Sequence, residues 1–196
     1  MEHSKMEMQH VNVKLLVRDP GDVDLEPLIP VFHSWIQKQV GEGLLLDVAD
    51  YRHVPEGPGV VLIGHEGNYS VDNTDDRLGV RYNRKAALGG SNHDRLKQAA
   101  RAALTACQRL EAESRLGGKL RFDGQEMEIF INDRLLAPNN EATREAFKSD
   151  FATFLQQLFR GGKFTTSFSS DPRRLLGVSV KTAEPVRLAD LLANLG

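Results

Sequence analysis

The sequence predicts an α+β protein with a mostly antiparallel sheet, helices packed on one of its faces, and internally repeated β-α-β units in a plait-like arrangement. Strand patterns of period two alternate with helical stripes along the chain. Tight-turn pairs such as Glu66-Gly67 and Asp123-Gly124 join neighbouring strands as hairpins. The succession of strand, amphipathic helix, glycines and strand begins three times, at Val11, Leu78 and Glu126. The predicted order is β-α-β-β-β-β-α-β-β-α-β-β-α.

The first unit opens with a half-buried strand. Apolar residues alternate with other side chains over Val11–Val17, as expected of a strand with one face in the core. A helical stripe of apolar side chains follows between Leu28 and Val40. An interior proline costs about 3 kcal/mol, so Pro27 and Pro30 belong to the first turn and the regular helix is expected to begin near Pro30.

Apolar segments and turn residues in the middle of the chain predict several consecutive strands. The segment Leu44–Val48 is apolar except for Asp47 and predicts a central strand covered on both faces. After a loop rich in proline and glycine, the segments Val60–His65, Asn68–Asp72 and Leu78–Asn83 are separated by turn residues. They indicate an antiparallel meander.

The second helix has a clear start signal. Ser91 precedes Asp94 by three residues, which is the spacing of a capping box, and the helix is expected over Asp94–Leu116. Asp123-Gly124 then predicts a hairpin between Lys119–Phe122 and Glu126–Ile131.

The end of the chain repeats the pattern. The segment Glu141–Arg160 carries a stripe of phenylalanine and leucine, and Gly161 follows as a left-handed cap. A hairpin of Phe164–Ser169 with Leu176–Val180 and a short helix of leucines complete the predicted chain.

Size and composition predict one cooperative domain. The 196 residues suit a single α+β domain at 11–196, with possible pseudo-halves 11–122 and 123–196, after a flexible leader at 1–10. We find no apolar run of the ~20 residues that a membrane span needs and no signal peptide. The single cysteine, Cys107, lies on a helical apolar stripe and favours the reducing cytoplasm. Repeated units of this kind pair readily through their edges, so we expect a homodimer.

The net charge of −2 argues against a dedicated nucleic-acid or membrane binder. Basic residues nevertheless concentrate between Arg77 and Arg101. Within this segment, glycines open the second helix, whose free N–H groups can hold a phosphate or carboxylate. The third repeat carries comparable polar side chains, which completes a predicted anion-binding set. Its members are Arg81, Asn83, Arg84, Lys85, Ser91, Asn92, Asn132 and Arg134.

An alternative site combines imidazoles with carboxylates. His53, His65 and Glu66, together with Asp47, come from the ends of consecutive predicted strands and could bind a metal with an open position for water. Asp50 lies nearby in the sequence. The spacing matches no established ligand motif, and the alternative interpretation is that these are solvated turn residues.

Catalytic signatures are absent from the sequence, including the phosphate-binding loop, the dinucleotide fingerprint and the hydrolase elbow. The leading hypothesis is therefore a non-catalytic binding or accessory protein that recognises an anionic small molecule or a protein partner. The alternative is a metal-assisted or acid–base enzyme acting on a small metabolite, with His53, His65 and Glu66 as catalytic residues. The sequence names no cofactor.

Overall fold

The computed structural model describes residues 6–21 and 23–196. Within these residues, eight strands form one antiparallel sheet in the order β2-β3-β4-β5-β1-β6-β8-β7. The strands are β1 (Val11–Leu16), β2 (Leu45–Tyr51), β3 (Gly59–Gly64), β4 (Gly67–Asp72), β5 (Gly79–Arg84), β6 (Glu126–Ile131), β7 (Phe164–Phe168) and β8 (Leu176–Thr182). The helices are α1 (Leu28–Lys38), α2 (Asn92–Glu111), α3 (Glu141–Phe159) and α4 (Leu188–Asn194). The α+β class, the antiparallel sheet and the helices on one face are as the sequence predicted.

The period-two pattern decides which face of the sheet the helices cover. Val13 and Leu15 of β1 are buried, as are Val80 and Tyr82 of β5, and α2 packs on both strands. Residues between these positions, such as Lys14, face the other side. On these two strands the opposite face of the sheet is mostly polar, because it carries Asn12, Lys14, Arg81 and Asn83. It is called the open face below.

The helices begin and end where local chemistry stops them. Pro27 caps α1 and Pro30 lies in its first turn, where a missing N–H breaks no helical hydrogen bond. In α2, Ser91 and Asp94 form the predicted capping box. None of the described helices combines the length and the hydropathy that crossing a membrane requires.

The sheet has an approximate two-fold order about the boundary between β1 and β6. On one side, β1 is followed by β5 and β4, and on the other side β6 is followed by β8 and β7. Each half runs strand, helix, strands, helix, and the first half carries the additional strands β2 and β3. The same order of elements therefore occurs twice along the chain.

Two local predictions were wrong. Leu44–Val48 does not form a central strand, because β2 pairs only with β3 in the described part of the chain and forms an edge there. Leu44 and Leu46 are each about half exposed. Lys119–Phe122 is not a strand, since Leu120 and Phe122 are buried without joining the ladder. An apolar run shows that side chains are buried but not which backbone pairs with which.

The N-terminal segment is tied to the domain from Met6 onward. Met8 is fully buried, and its N–H donates to Oδ1 of Asn92 at 2.8 Å. The side chain of Asn92 donates in turn to the carbonyl oxygen of Met6 at 2.9 Å. Residues 1–5 of the predicted flexible leader lie outside the described part of the chain.

Candidate functional site: a basic cleft on the open face

Strand register places a continuous row of polar side chains across the open face. Each member stands directly opposite the next, so the row crosses six strands from β4 to β7. Its members, in spatial order, are Ser70, Arg81, Lys14, Glu128, Ser179 and Ser167. Side chains alternate between the two faces along each strand, so all six point to the same face. The register between neighbouring strands then sets them side by side.

A cleft with a volume of about 550 Å³ lies over this row. It is called the open-face cleft below. Two loops border it, at residues 73–78 between β4 and β5 and at 169–175 between β7 and β8, and Arg174 of one loop pairs with Asp75 of the other. Among the residues that the structure describes, six cationic and three acidic side chains line it, which gives this part of the lining a formal charge of +3. These side chains are Lys14, Arg77, Arg81, Arg134, Arg173 and Arg174, with Asp72, Asp75 and Glu128.

A buried ion pair anchors the floor of the cleft. Nζ of Lys14 lies 2.6 Å from Oδ1 of Asp72, and the two side chains are 1% and 2% exposed. The N–H and the hydroxyl of Thr74 also donate to Asp72, at 3.2 and 3.0 Å. Charges removed from water to this extent persist only when they are paired and hydrogen-bonded, as they are here.

Burial and pairing have opposite effects on the pKa of each member of this pair. Burial lowers the pKa of the Lys14 ammonium from its usual value, and the attraction of Asp72 opposes part of that shift. Burial alone would raise the pKa of Asp72, but Lys14, Arg81 and the hydrogen bonds from Lys14 and Thr74 outweigh it. The pKa of Asp72 therefore lies below its usual range, and its carboxylate keeps a negative charge at the floor of the cleft.

Arg81 is held in the cleft by a carboxylate and by an aromatic ring. Its Nη1 lies 3.2 Å from Oδ2 of Asp72, and its Cζ lies 5.0 Å from the centroid of the Phe130 ring. Stacking on the ring holds the guanidinium plane in place. Its Nε is buried and has no hydrogen-bond partner in the part of the chain that the structure describes. The Nε–H group of Arg81 is therefore an unused hydrogen-bond donor.

The other arginines differ in how strongly they are held. Arg77 donates to Glu128 and Glu126, at 2.6 Å in each case. Arg173 forms a two-pronged pair with Asp171 at 2.9 and 3.0 Å and is largely exposed. Arg134 is exposed, and within residues 6–21 and 23–196 it forms no hydrogen bond or ion pair. The rim of the cleft thus offers guanidinium groups that can reorient toward a ligand.

The predicted anion-binding set is divided by the structure. Arg81 and Arg134 line the open-face cleft, although they come from different halves of the chain. Asn83 lies on the open face of β5, opposite Asn12 and Asn68, and its Oδ1 is buried without a partner among the described residues. Asn12, Asn68 and Asn83 therefore continue the polar surface beside the cleft.

The remaining members of that set have local contacts. Nε of Arg84 donates to the carbonyl oxygen of Ala86 at 2.8 Å, and Lys85 is exposed. The backbone N–H of Asn132 donates to the carbonyl oxygen of His10 at 3.1 Å, and its side chain is exposed. None of these three lines the cleft.

The start of α2 is already occupied by the protein's own carboxylate. The N–H of Ser91 donates to Oδ2 of Asp94 at 2.8 Å, and this bond lowers the pKa of Asp94. Asn92 is buried, and its amide is shared among Met6, Met8, Arg95 and Asp150. Ser91 and Asn92 therefore serve the helix start and the N-terminal segment in this structure.

The predicted metal set does not gather at one place. Asp47 stands opposite Ile63 and Asp50 opposite Val60, so His53 follows at the end of β2 that lies away from the turn carrying His65. His65 and Glu66 do lie together, with Nδ1 3.4 Å from Oε1. Over residues 6–21 and 23–196, no group of three or more His, Cys, Asp or Glu could hold a metal ion.

Several residues of the cleft were not singled out from the sequence. Lys14 and Glu128 lie in strands with buried alternate positions, where a polar residue normally faces water. One signal was available, because Lys14 is the only charged residue within the otherwise regular strand Val11–Val17. The charge pairing of Asp72 gave no local signal, since its cationic partners, Lys14 and Arg81, are 58 and 9 positions away.

Comparison with known proteins assigns the chain to no family. No protein-family model matches it, and no curated protein sequence matches it significantly. The geometry of the open face is therefore the basis of the functional proposal.

Proposed function

We propose that the protein is a non-catalytic binding or accessory protein that recognises an anionic ligand in the open-face cleft. The observation that carries the proposal is the +3 lining of a cleft large enough for a small molecule, with arginines at its rim. Arginine suits this task because its planar fork donates two parallel hydrogen bonds to a carboxylate or a phosphate. Arg81 supplies a fixed donor, while Arg134 and Arg173 supply reorientable ones.

The proposal includes the cellular setting. We propose a cytoplasmic homodimer, because the single cysteine is fully buried and the sheet ends in unpaired edge strands. Burial raises the pKa of the Cys107 thiol well above its usual value. This thiol is therefore a packing residue and not a nucleophile.

The test is a nuclear magnetic resonance titration with inorganic phosphate and, separately, with citrate. Arginine Nε–H signals report directly on the guanidinium groups, and the Arg81 signal should shift in a saturable manner with at least one of the two anions. Arg134→Gln and Arg173→Gln should each weaken binding about tenfold, because each removes a charge-assisted hydrogen bond. Arg121→Gln is the matched control, since Arg121 is exposed and does not line the cleft.

Two results would contradict the proposal. One is the absence of saturable shifts up to about 10 mM anion, where even a millimolar site would be occupied. The other is saturable turnover of a metabolite that is lost in His53→Ala or His65→Ala, which would favour the enzyme hypothesis.

A further inference from the structure

Strand β7 ends the sheet that the described residues form. Within residues 6–21 and 23–196, only β8 pairs with it, so one side of its backbone is unpaired there. The N–H of Thr182 donates to the carbonyl oxygen of Gln125, on the side of β8 away from β7, and Thr182 stands opposite Phe164. Since bonding sides alternate along antiparallel strands, the N–H and C=O groups of Phe164, Thr166 and Phe168 point away from the sheet.

The sequence of β7 suits antiparallel pairing with β7 of a second copy of the chain. Its sequence, Phe-Thr-Thr-Ser-Phe, presents the same kinds of residue in either direction. An antiparallel pair with its two-fold axis at Thr166 sets this residue opposite its own copy and Phe164 opposite Phe168 of the second copy. Thr165 then faces Ser167. Aromatic pairs and hydroxyl pairs are favoured cross-strand neighbours, and about six backbone hydrogen bonds join the strands.

The two edges of the sheet differ in how they resist such pairing. Edge strand β2 carries the carboxylates Asp47 and Asp50 and a shift in register between Leu45 and Asp47. Charges and bulges of this kind protect an edge from another strand. In contrast, Phe164–Phe168 contains no charge, proline or glycine, and its register with β8 has no shift.

We propose that β7 is the surface through which two copies of this chain form a homodimer with one continuous sheet. This inference rests on the homodimer proposed above and names its interface. Ser167 and Phe168 line the open-face cleft, so the clefts of the two copies lie on either side of the two-fold axis. Because the contact spans only five residues in each copy, the dimer dissociates on dilution.

Disulfide trapping tests the geometry. In a hydrogen-bonded antiparallel pair the two Cα atoms lie about 5.5 Å apart, which is within the range that a disulfide bridges. The Thr166→Cys variant should therefore form a disulfide-linked dimer on mild oxidation, and the native Cys107 is buried and does not compete. Leu46→Cys is the matched control on the other edge, where Leu46 is 51% exposed. Cross-linking of Leu46→Cys without cross-linking of Thr166→Cys would overturn the proposal.

Sedimentation equilibrium across a dilution series tests the energetics. Thr166→Lys places two like charges directly opposite each other, so the dissociation constant of the dimer should rise about tenfold or more. Leu46→Lys should leave it unchanged, and circular dichroism checks that both variants fold. A wild-type protein that is monomeric at every concentration overturns the homodimer itself. A dimer weakened by Leu46→Lys but not by Thr166→Lys overturns the β7 interface and leaves the homodimer standing.

Discussion

Replacement of Asp72 by Asn tests the buried charges under the cleft. The substitution keeps the size of the side chain and removes the carboxylate that faces Lys14 and Arg81. Breaking a buried ion pair by removing one partner costs about 3–5 kcal/mol, because the other charge is left uncompensated. Lys14 can escape this cost by losing its proton. At pH 7 that escape costs about 4.6 kcal/mol, from an ordinary lysine pKa of 10.4 and 1.36 kcal/mol per pH unit.

The loss of stability in Asp72→Asn depends on pH through the cost of deprotonating Lys14. At pH 9 deprotonation of Lys14 costs only about 1.9 kcal/mol. At pH 9 the neutral form is the cheaper one, so folded Lys14 of the variant loses its proton while unfolded Lys14 is still charged. The unfolded state then binds more protons, and the stability of the variant rises with pH. The free energy of unfolding should therefore fall by about 3–4.5 kcal/mol at pH 7 and by about 2 kcal/mol at pH 9.

Urea unfolding at the two pH values measures this difference, with the single tryptophan, Trp35, as a fluorescent probe in the core. Asp171→Asn is the control, because it breaks the exposed pair with Arg173 and should change stability little at either pH. A loss below about 1 kcal/mol for Asp72→Asn, or equal losses at pH 7 and pH 9, would show that the variant does not leave an uncompensated charge on Lys14.

Three further predictions concern the helix start, the sheet and acid stability. Ser91→Ala removes the acceptor of the capping box and should lower the free energy of unfolding by about 1 kcal/mol, while Ser91→Asn should restore it. A Cβ at Gly79 would lie 2.5 Å from a backbone oxygen of β1, so thermal melts of Gly79→Ala should show a loss of about 1–3 kcal/mol, whereas Gly89→Ala, with open space, should melt as wild type. Because the folded-state pKa of Asp72 is lowered, its stabilisation is present above the usual carboxyl pKa and declines as pH falls below it. Urea midpoints at pH 5 and pH 3 should therefore fall less in Asp72→Asn than in the wild type.

Much of the fold follows from local patterns in the sequence. The stripe from Phe147 to Leu158 predicts α3, and the turn at Glu66-Gly67 predicts the β3–β4 hairpin. These features require only neighbours within a turn or two. The position of β2 at the edge of the sheet could not be obtained in this way, because the leucines of Leu44–Val48 look alike in the sequence but have different surroundings in the fold. Leu45 enters the core beneath α1, whereas Leu46 lies exposed on the edge strand.

The candidate site depends on register between strands that are distant in the sequence. Lys14 meets Arg81 and Glu128 because β1 lies between β5 and β6. Nothing near Lys14 in the sequence indicates this order. The sequence did indicate Arg81 and Arg134 as anion ligands, although it associated them with the start of α2 and with the third repeat. The structure instead places both on the open-face cleft.

The cleft itself arises from a difference between the two similarly ordered halves of the sheet. In the first half the open face carries large charged side chains, Lys14 on β1 and Arg81 on β5. At the cleft, the corresponding strands of the second half carry Glu128 on β6 and the small residues Gly177 and Ser179 on β8, whereas Lys181 of β8 lies further along and pairs with Glu126. Small residues leave the volume, and the charged residues opposite give that volume its polarity. Two halves with equal side chains would either fill the space or leave it uncharged, so the divergence between them is what makes this face suitable for a ligand.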